Sequence, residues 1–183
     1  MTTHRRHSNA GFTSEDVLEF PDDGLRREIM DGSLVVTPPP ALPHAQTTAN
    51  LRDRLYDQAP KQFRVVEATG VYPDERNFFI PDLIVVPREA LAKDAIGVRP
   101  HEALLVVEVV SPSHPSNDVV FKRAVYARHG IREYWIARRR NSSLTILQLA
   151  ADGKYAERAV VRPGQTWRAD YPFPLEVDPA EIF

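Results

Sequence analysis

The sequence predicts one α/β domain built on a mixed central sheet flanked by helices, with additional β-hairpins at its margins. Three observations lead there. Residues 103–110 (ALLVVEVV) are apolar on both faces of an extended chain, as expected of a strand in the middle of a sheet. Two Asp-Gly pairs, Asp31-Gly32 and Asp152-Gly153, stand between apolar runs and supply the positive φ of tight hairpin turns. Helical spacing alternates with strand runs along the chain. With 183 residues, 43% of them hydrophobic, there is chain for one core and too little for two full domains.

Residues 1–11 have no periodicity and read as a disordered tail ahead of a domain over 12–183. Thr13 or Ser14 suits the cap of a short helix through Phe20, because Glu15 and Asp16 would lie in a first turn whose dipole favours acids. Pro21 and Gly24 end it. Residues 26–30 and 34–37 form the first hairpin around Asp31-Gly32, and Pro38, Pro39 and Pro40 stop its second strand. Over 43–58, Ala45, Ala49, Leu51, Leu55 and Tyr56 recur at helical spacing, which predicts the first long helix.

Residues 63–68 and 71–72 read as strands, and 78–86 as an apolar stretch broken at Pro81-Asp82. A turn or two of helix over 88–93 precedes the central strand. A helix over 116–129, capped by Ser116 or Asn117, follows it and ends at Gly130. Residues 132–137 return as a strand, 144–149 and 155–161 form the second hairpin, and 165–183 read as a proline-punctuated tail with short strand pieces.

Composition excludes much chemistry. The absence of cysteine removes disulfides, thiolate nucleophiles and every Cys-based metal site. The net charge of −2 is not that of a uniformly basic polyanion binder. The longest apolar run of the core is 103–107 and the N-terminus carries no apolar signal segment, so a soluble cytoplasmic protein without membrane contact is expected. No Gly-rich phosphate loop follows a strand, and Gly-x-Ser-x-Gly is missing.

What remains is a pair of misplaced acids. Strand alternation sends Glu108 to the face of Val106 and Val110, where an uncompensated carboxylate costs several kcal/mol. Asp82 opens the apolar run 83–86, and two neighbouring strands would converge both acids on one point. Such a pair suits Mg²⁺ or Mn²⁺, which take oxygen ligands. It equally suits a turn cap and a salt bridge to an arginine, and spacing alone favours neither. Lys122, on the helix leaving the Glu108 strand, could approach both acids, although an isolated helix lysine is ordinarily solvated.

The stretch Glu108-Val109-Val110-Ser111-Pro112-Ser113, followed by Asp118, Lys122, Tyr126, Gly130 and Glu133-Tyr134-Trp135, resembles the Uma family of restriction endonucleases within the PD-(D/E)XK nuclease superfamily. The resemblance extends upstream to residues 81–86, to residues 28–36 with their proline run, and to His44, covering about residues 12 to 150. It implies a restriction-endonuclease-like fold, with Asp82 and Glu108 as metal ligands and the Val109 carbonyl as a third. Val110 occupies the superfamily's usual lysine position, and the family pattern implies that Lys122 reaches back from the helix in its stead. Glu28 would add an acid near the metal and His44 a polar neighbour; Glu28 could equally pair with Arg26 or Arg27, and His44 could be a capping residue. The implied reaction is Mg²⁺- or Mn²⁺-assisted hydrolysis of DNA phosphodiesters, Lys122 orienting the attacking water.

Between Lys122 and Arg140 there are seven basic residues against one acid, Glu133, a local charge of +6. Arg123, Arg138, Arg139 and Arg140 are the candidate DNA contacts, since phosphates reward such a stripe through counterion release. A solvated helix face with a charged turn accounts for the same residues. Tyr134 and Trp135 read as core. Cutting both strands of a duplex suits a homodimer. Two other readings stand beside the nuclease: a non-catalytic nucleic-acid-binding or interaction protein on the same fold, motivated by Val110, and a metal-dependent hydrolase of another phosphoester.

Overall fold

The computed structural model describes residues 11–92, 95–110 and 117–183. The predicted tail (apart from Gly11), Lys93, Ser116 and the Ser111-Pro112-Ser113 stretch lie outside the described residues, as does the side chain of Asp118. In chain order the strands are β1 (Arg26–Met30), β2 (Ser33–Thr37), β3 (Phe63–Glu67), β4 (Gly70–Asp74), β5 (Asn77–Phe79), β6 (Leu83–Pro87) and β7 (Gly97–Val98). They continue as β8 (Leu105–Val109), β9 (Glu133–Arg138), β10 (Ser143–Leu149), β11 (Tyr155–Val161), β12 (Trp167–Ala169) and β13 (Leu175–Val177). Among the described residues two α-helices, α1 (Leu42–Gln58) and α2 (Arg123–Arg128), join them.

The main sheet has the order β11-β10-β9-β8-β6-β3 and is mixed, with β8 and β9 parallel and the other neighbours antiparallel. The strand apolar on both faces is therefore central, as predicted. Alternation along it divides the core. Leu105, Val107 and Val109 join Leu83, Val85, Trp135 and Ala137 on one face, covered by Leu51 and Leu55 of α1. Val106 joins Ile84, Val86, Tyr134 and Ile136 on the other, beneath Tyr126 of α2 and residues of a second sheet, order β2-β1-β5-β4-β7.

Both hairpins turn at an Asp-Gly pair, but only the first turn is tight: the second is a loop over 150–154 in which Gly153 alone has positive φ. Asp31 and Gly32 have φ of 48° and 77°, the two positive values a type I′ turn requires. Elsewhere the structure corrects the sequence reading. The first helix shrinks to one 3₁₀ turn, Asp16–Glu19, and neither Thr13 nor Ser14 caps it: Thr13 donates from its N–H and hydroxyl to Asp16 Oδ2, while the Ser14 N–H is drawn away to the Glu75 carbonyl. In α1 the buried face is Thr47, Thr48, Leu51 and Leu55, and Tyr56 is exposed. Both threonines tolerate burial because their hydroxyls donate to the carbonyls of Pro43 and His44 one turn back.

The helix expected over 116–129 is α-helical only from Arg123 to Arg128 and is preceded by a wide π turn, Asn117–Lys122. The supposed C-terminal tail is core cover: Leu175, Val177 and Ile182 are buried on the α1 side of the sheet, the first two at the period of two that marks a strand face. Among the described residues no helix is long and apolar enough to cross a membrane.

Candidate active site

Backbone register brings the two acids together. Leu83 on β6 faces Val107 on antiparallel β8, so one step outward sets Asp82 across from Glu108. Both are even-numbered neighbours of Ile84 and Val106, on the face covered by α2. They are nearly sealed, at 6% and 1% exposure. The N–H of Val109 donates to Asp82 Oδ2 at 2.7 Å, which ties the acid to the end of the neighbouring strand.

Lys122 completes the cluster from the π turn. It is 1% exposed, and its ammonium donates to Glu108 Oε1 at 2.9 Å and lies 2.9 Å from Glu28 Oε1. The reading as a solvated helix lysine does not hold, and its second acid is Glu28 rather than Asp82. π turns recur where a side chain must be re-aimed at a functional centre. Tyr126, one turn further on, donates its hydroxyl to the same Glu108 oxygen at 3.2 Å. Glu28 is 4% exposed and also accepts the Ile80 N–H at 2.7 Å.

The member sequence reasoning missed is Arg26. Its guanidinium donates to Asp82 Oδ1 at 3.0 Å and lies 3.6 Å from Glu28 and 3.9 Å from Glu108. A signal existed: Arg26 and Glu28 are two apart on one strand and so share a face. Burial alone would lower the Arg26 pKa, but the charges of Glu28, Asp82 and Glu108 raise it, so the group stays cationic.

His44, in the first turn of α1, donates from Nε2 to the Val109 carbonyl at 2.9 Å and sits 3.4 Å from Asp82 Oδ2. That bond requires a hydrogen on Nε2. His44 is thus a polar neighbour of Asp82 and not the cap of the helix. The hydrogen bond with Asp82 raises the His44 pKa against the opposing effect of burial. For Asp82, burial pushes the carboxyl up, but His44, Arg26 and the Val109 N–H outweigh it and hold the pKa down to about 2.

Glu28, Asp82 and Glu108 carry three formal negative charges against two on Arg26 and Lys122. Among the described residues no set of three or more His, Cys, Asp or Glu stands as a ready metal cage. The three carboxylates are oxygen donors of the kind a hard divalent cation takes, and each already faces a protein cation, Arg26 or Lys122. The Val109 carbonyl already accepts from His44.

The basic stripe divides. Lys122 belongs to the interior, and Arg123 donates to the Tyr155 carbonyl at 3.0 Å, at the start of β11, away from the site. Arg138 ends β9, whose parallel pairing sets Val109 beside Ala137, so Arg138, Arg139 and Arg140 lie at the same end of the sheet as the acids. Arg138 donates to Thr145 at 2.6 Å, and Arg140 is exposed. Tyr134 and Trp135 are core, as expected.

A family model described as "Uma2: Putative restriction endonuclease" matches residues 14–180, and the chain belongs to that family. Among solved structures it is similar to one described as "a putative nuclease belonging to DUF820" from Anabaena variabilis ATCC 29413. The identity is 15%, with 94% of this chain and 97% of that one covered at a TM-score of 0.73. The two share a fold. Among curated proteins none matches this chain.

Proposed function

We propose that this protein is a metal-dependent endonuclease that hydrolyses DNA phosphodiester bonds at the Glu28, Asp82, Glu108 and Lys122 cluster. The observation that carries the reading is a fully buried lysine held between two buried acids, beside a third acid at the end of the central strands. A structural ion pair needs one acid, and this site gathers three. Asp82 and Glu108 would hold Mg²⁺ or Mn²⁺, with Glu28 adjoining. When bound, such an ion supplies a Lewis acid for the phosphate and a water of lowered pKa.

The chain's own residues do the rest. Lys122 keeps Glu108 and Glu28 aligned by donating to the first and pairing with the second, and in the reaction it would direct an N–H at the attacking water. Tyr126 holds the shared Glu108 oxygen from the other side. The Val109 N–H and His44 fix Asp82, so that acid keeps one orientation and stays ionised at neutral pH. Arg138, Arg139 and Arg140, on the same end of the sheet, would meet the DNA backbone. A cytoplasmic homodimer suits two-strand cleavage.

The test is nicking of supercoiled DNA in Mg²⁺ or Mn²⁺, with Asp82→Ala, Glu108→Ala and Lys122→Ala beside the native chain. Cleavage by the native protein, lost in each folded variant, is expected; cleavage surviving all three contradicts the assignment. A second reading, a nucleic-acid-binding protein without catalysis, is favoured by the protein cations already paired with each acid. DNA binding with no cleavage in any metal would establish it.

A further inference from the structure

We propose that Arg26 is the resident counter-ion of the carboxylate cluster, and that a divalent cation and the Arg26 guanidinium are alternative occupants of it. The inference rests on the nuclease reading in taking a divalent cation as the ligand. Arg26 approaches all three acids, at 3.0 Å, 3.6 Å and 3.9 Å, whereas Lys122 is within 2.9 Å of two of them. A metal ligated by Asp82 and Glu108 would face the guanidinium at close range, where like charges repel strongly. One must leave.

Geometry says which. The Lys122 side chain is 1% exposed, while that of Arg26 is 26% exposed at the rim. Arg26 is also the less fully bonded: its Nε is buried and has no hydrogen-bond partner among the described residues. A guanidinium with five donors that leaves a buried one unpaired is poorly matched to a permanent structural role. Exchange requires only that this side chain rotate outward, because β1 is fixed by pairing with both β2 and β5.

The experiment is calorimetric Mn²⁺ titration of the native chain, Arg26→Gln and Arg26→Lys without nucleic acid, with thermal unfolding of each at zero and saturating Mn²⁺. Removing the competitor should tighten Mn²⁺ binding about tenfold or more. Arg26→Gln should unfold at lower temperature than the native chain without metal, with Mn²⁺ closing most of the gap. Arg26→Lys, which keeps the charge but not the fork, should fall between. Should Arg26→Gln not fold without metal, folding on addition of Mn²⁺ gives the same support. Equal or weaker Mn²⁺ affinity in folded Arg26→Gln beside a binding native chain overturns this inference and leaves the nuclease reading standing. No binding in any of the three overturns both the exchange and the metal site.

Discussion

Replacing Lys122 with methionine should be among the most damaging single changes in the molecule. The ammonium is 1% exposed and lies 2.9 Å from both Glu28 and Glu108. Methionine fills the space but leaves two buried carboxylates without it. Removing one partner of a buried ion pair costs about 3–5 kcal/mol. Arg26 at 3.6 Å and 3.9 Å and the Tyr126 hydroxyl at 3.2 Å still attend the acids, which puts the loss near the lower end, about 3 kcal/mol. At roughly 2–4 °C per kcal/mol for a protein of this size, the melting temperature should fall by roughly 6–12 °C at pH 7.

The penalty comes from leaving buried carboxylates without their cation. The double variant Lys122→Met with Glu108→Gln should recover part of it, because one acid no longer needs a cation. Chemical denaturation of the single and double variants at pH 7 reads both the loss and the recovery. Equal midpoints for native and Lys122→Met proteins at pH 7 would refute the pairing on which the site is built.

Other consequences follow for the neighbouring residues and for the fold. The Asp82 pKa is depressed from 3.8 to about 2, so its contribution is fully present above the unfolded value and lost as pH falls through the folded one. Acid titration of stability should show a loss of about 2 kcal/mol between pH 5 and 2, which Asp82→Asn removes. His44 has the opposite sign: its raised pKa adds stability below pH 6.5 that disappears as pH rises through the folded value, and His44→Gln should flatten that limb. Tyr126→Phe removes one donor to Glu108 and should cost about 1 kcal/mol in urea unfolding. Gly70→Ala drives a methyl into the Phe78 ring and the Ile96 carbonyl, and should cost about 1–3 kcal/mol by the same assay.

The acids were legible because burial penalties are local. Glu108 interrupts a run apolar on both faces and Asp82 opens another, so each announced a compensating partner before its geometry was known. Lys122 could be singled out only by its place on the helix leaving the Glu108 strand, and Glu28 needed the family resemblance, since it does not stand out against ordinary strand neighbours. Arg26 escaped as a site member because an arginine beside Arg27 and near Asp22 and Asp23 has many exposed partners to choose from. Only the packing of β1 over the main sheet turns it inward while Arg27 goes to Asp23. The π turn at Asn117–Lys122 is likewise invisible to periodicity, since it differs from an α turn by one hydrogen-bond step. The C-terminal strands were read as a tail because Pro172, Pro174 and Pro179 break the pattern into pieces too short to weigh alone. Against the apolar face beneath α1 those pieces are sufficient.

The central claim is that the buried acids form a divalent-cation site serving phosphodiester hydrolysis. Calorimetric Mn²⁺ titration in the presence of DNA, with the native chain beside Asp82→Ala and Glu108→Ala, tests it most directly. The native protein should bind Mn²⁺, and both folded variants should lose that binding. Absence of binding in the native protein, or binding unchanged by both substitutions, would contradict it.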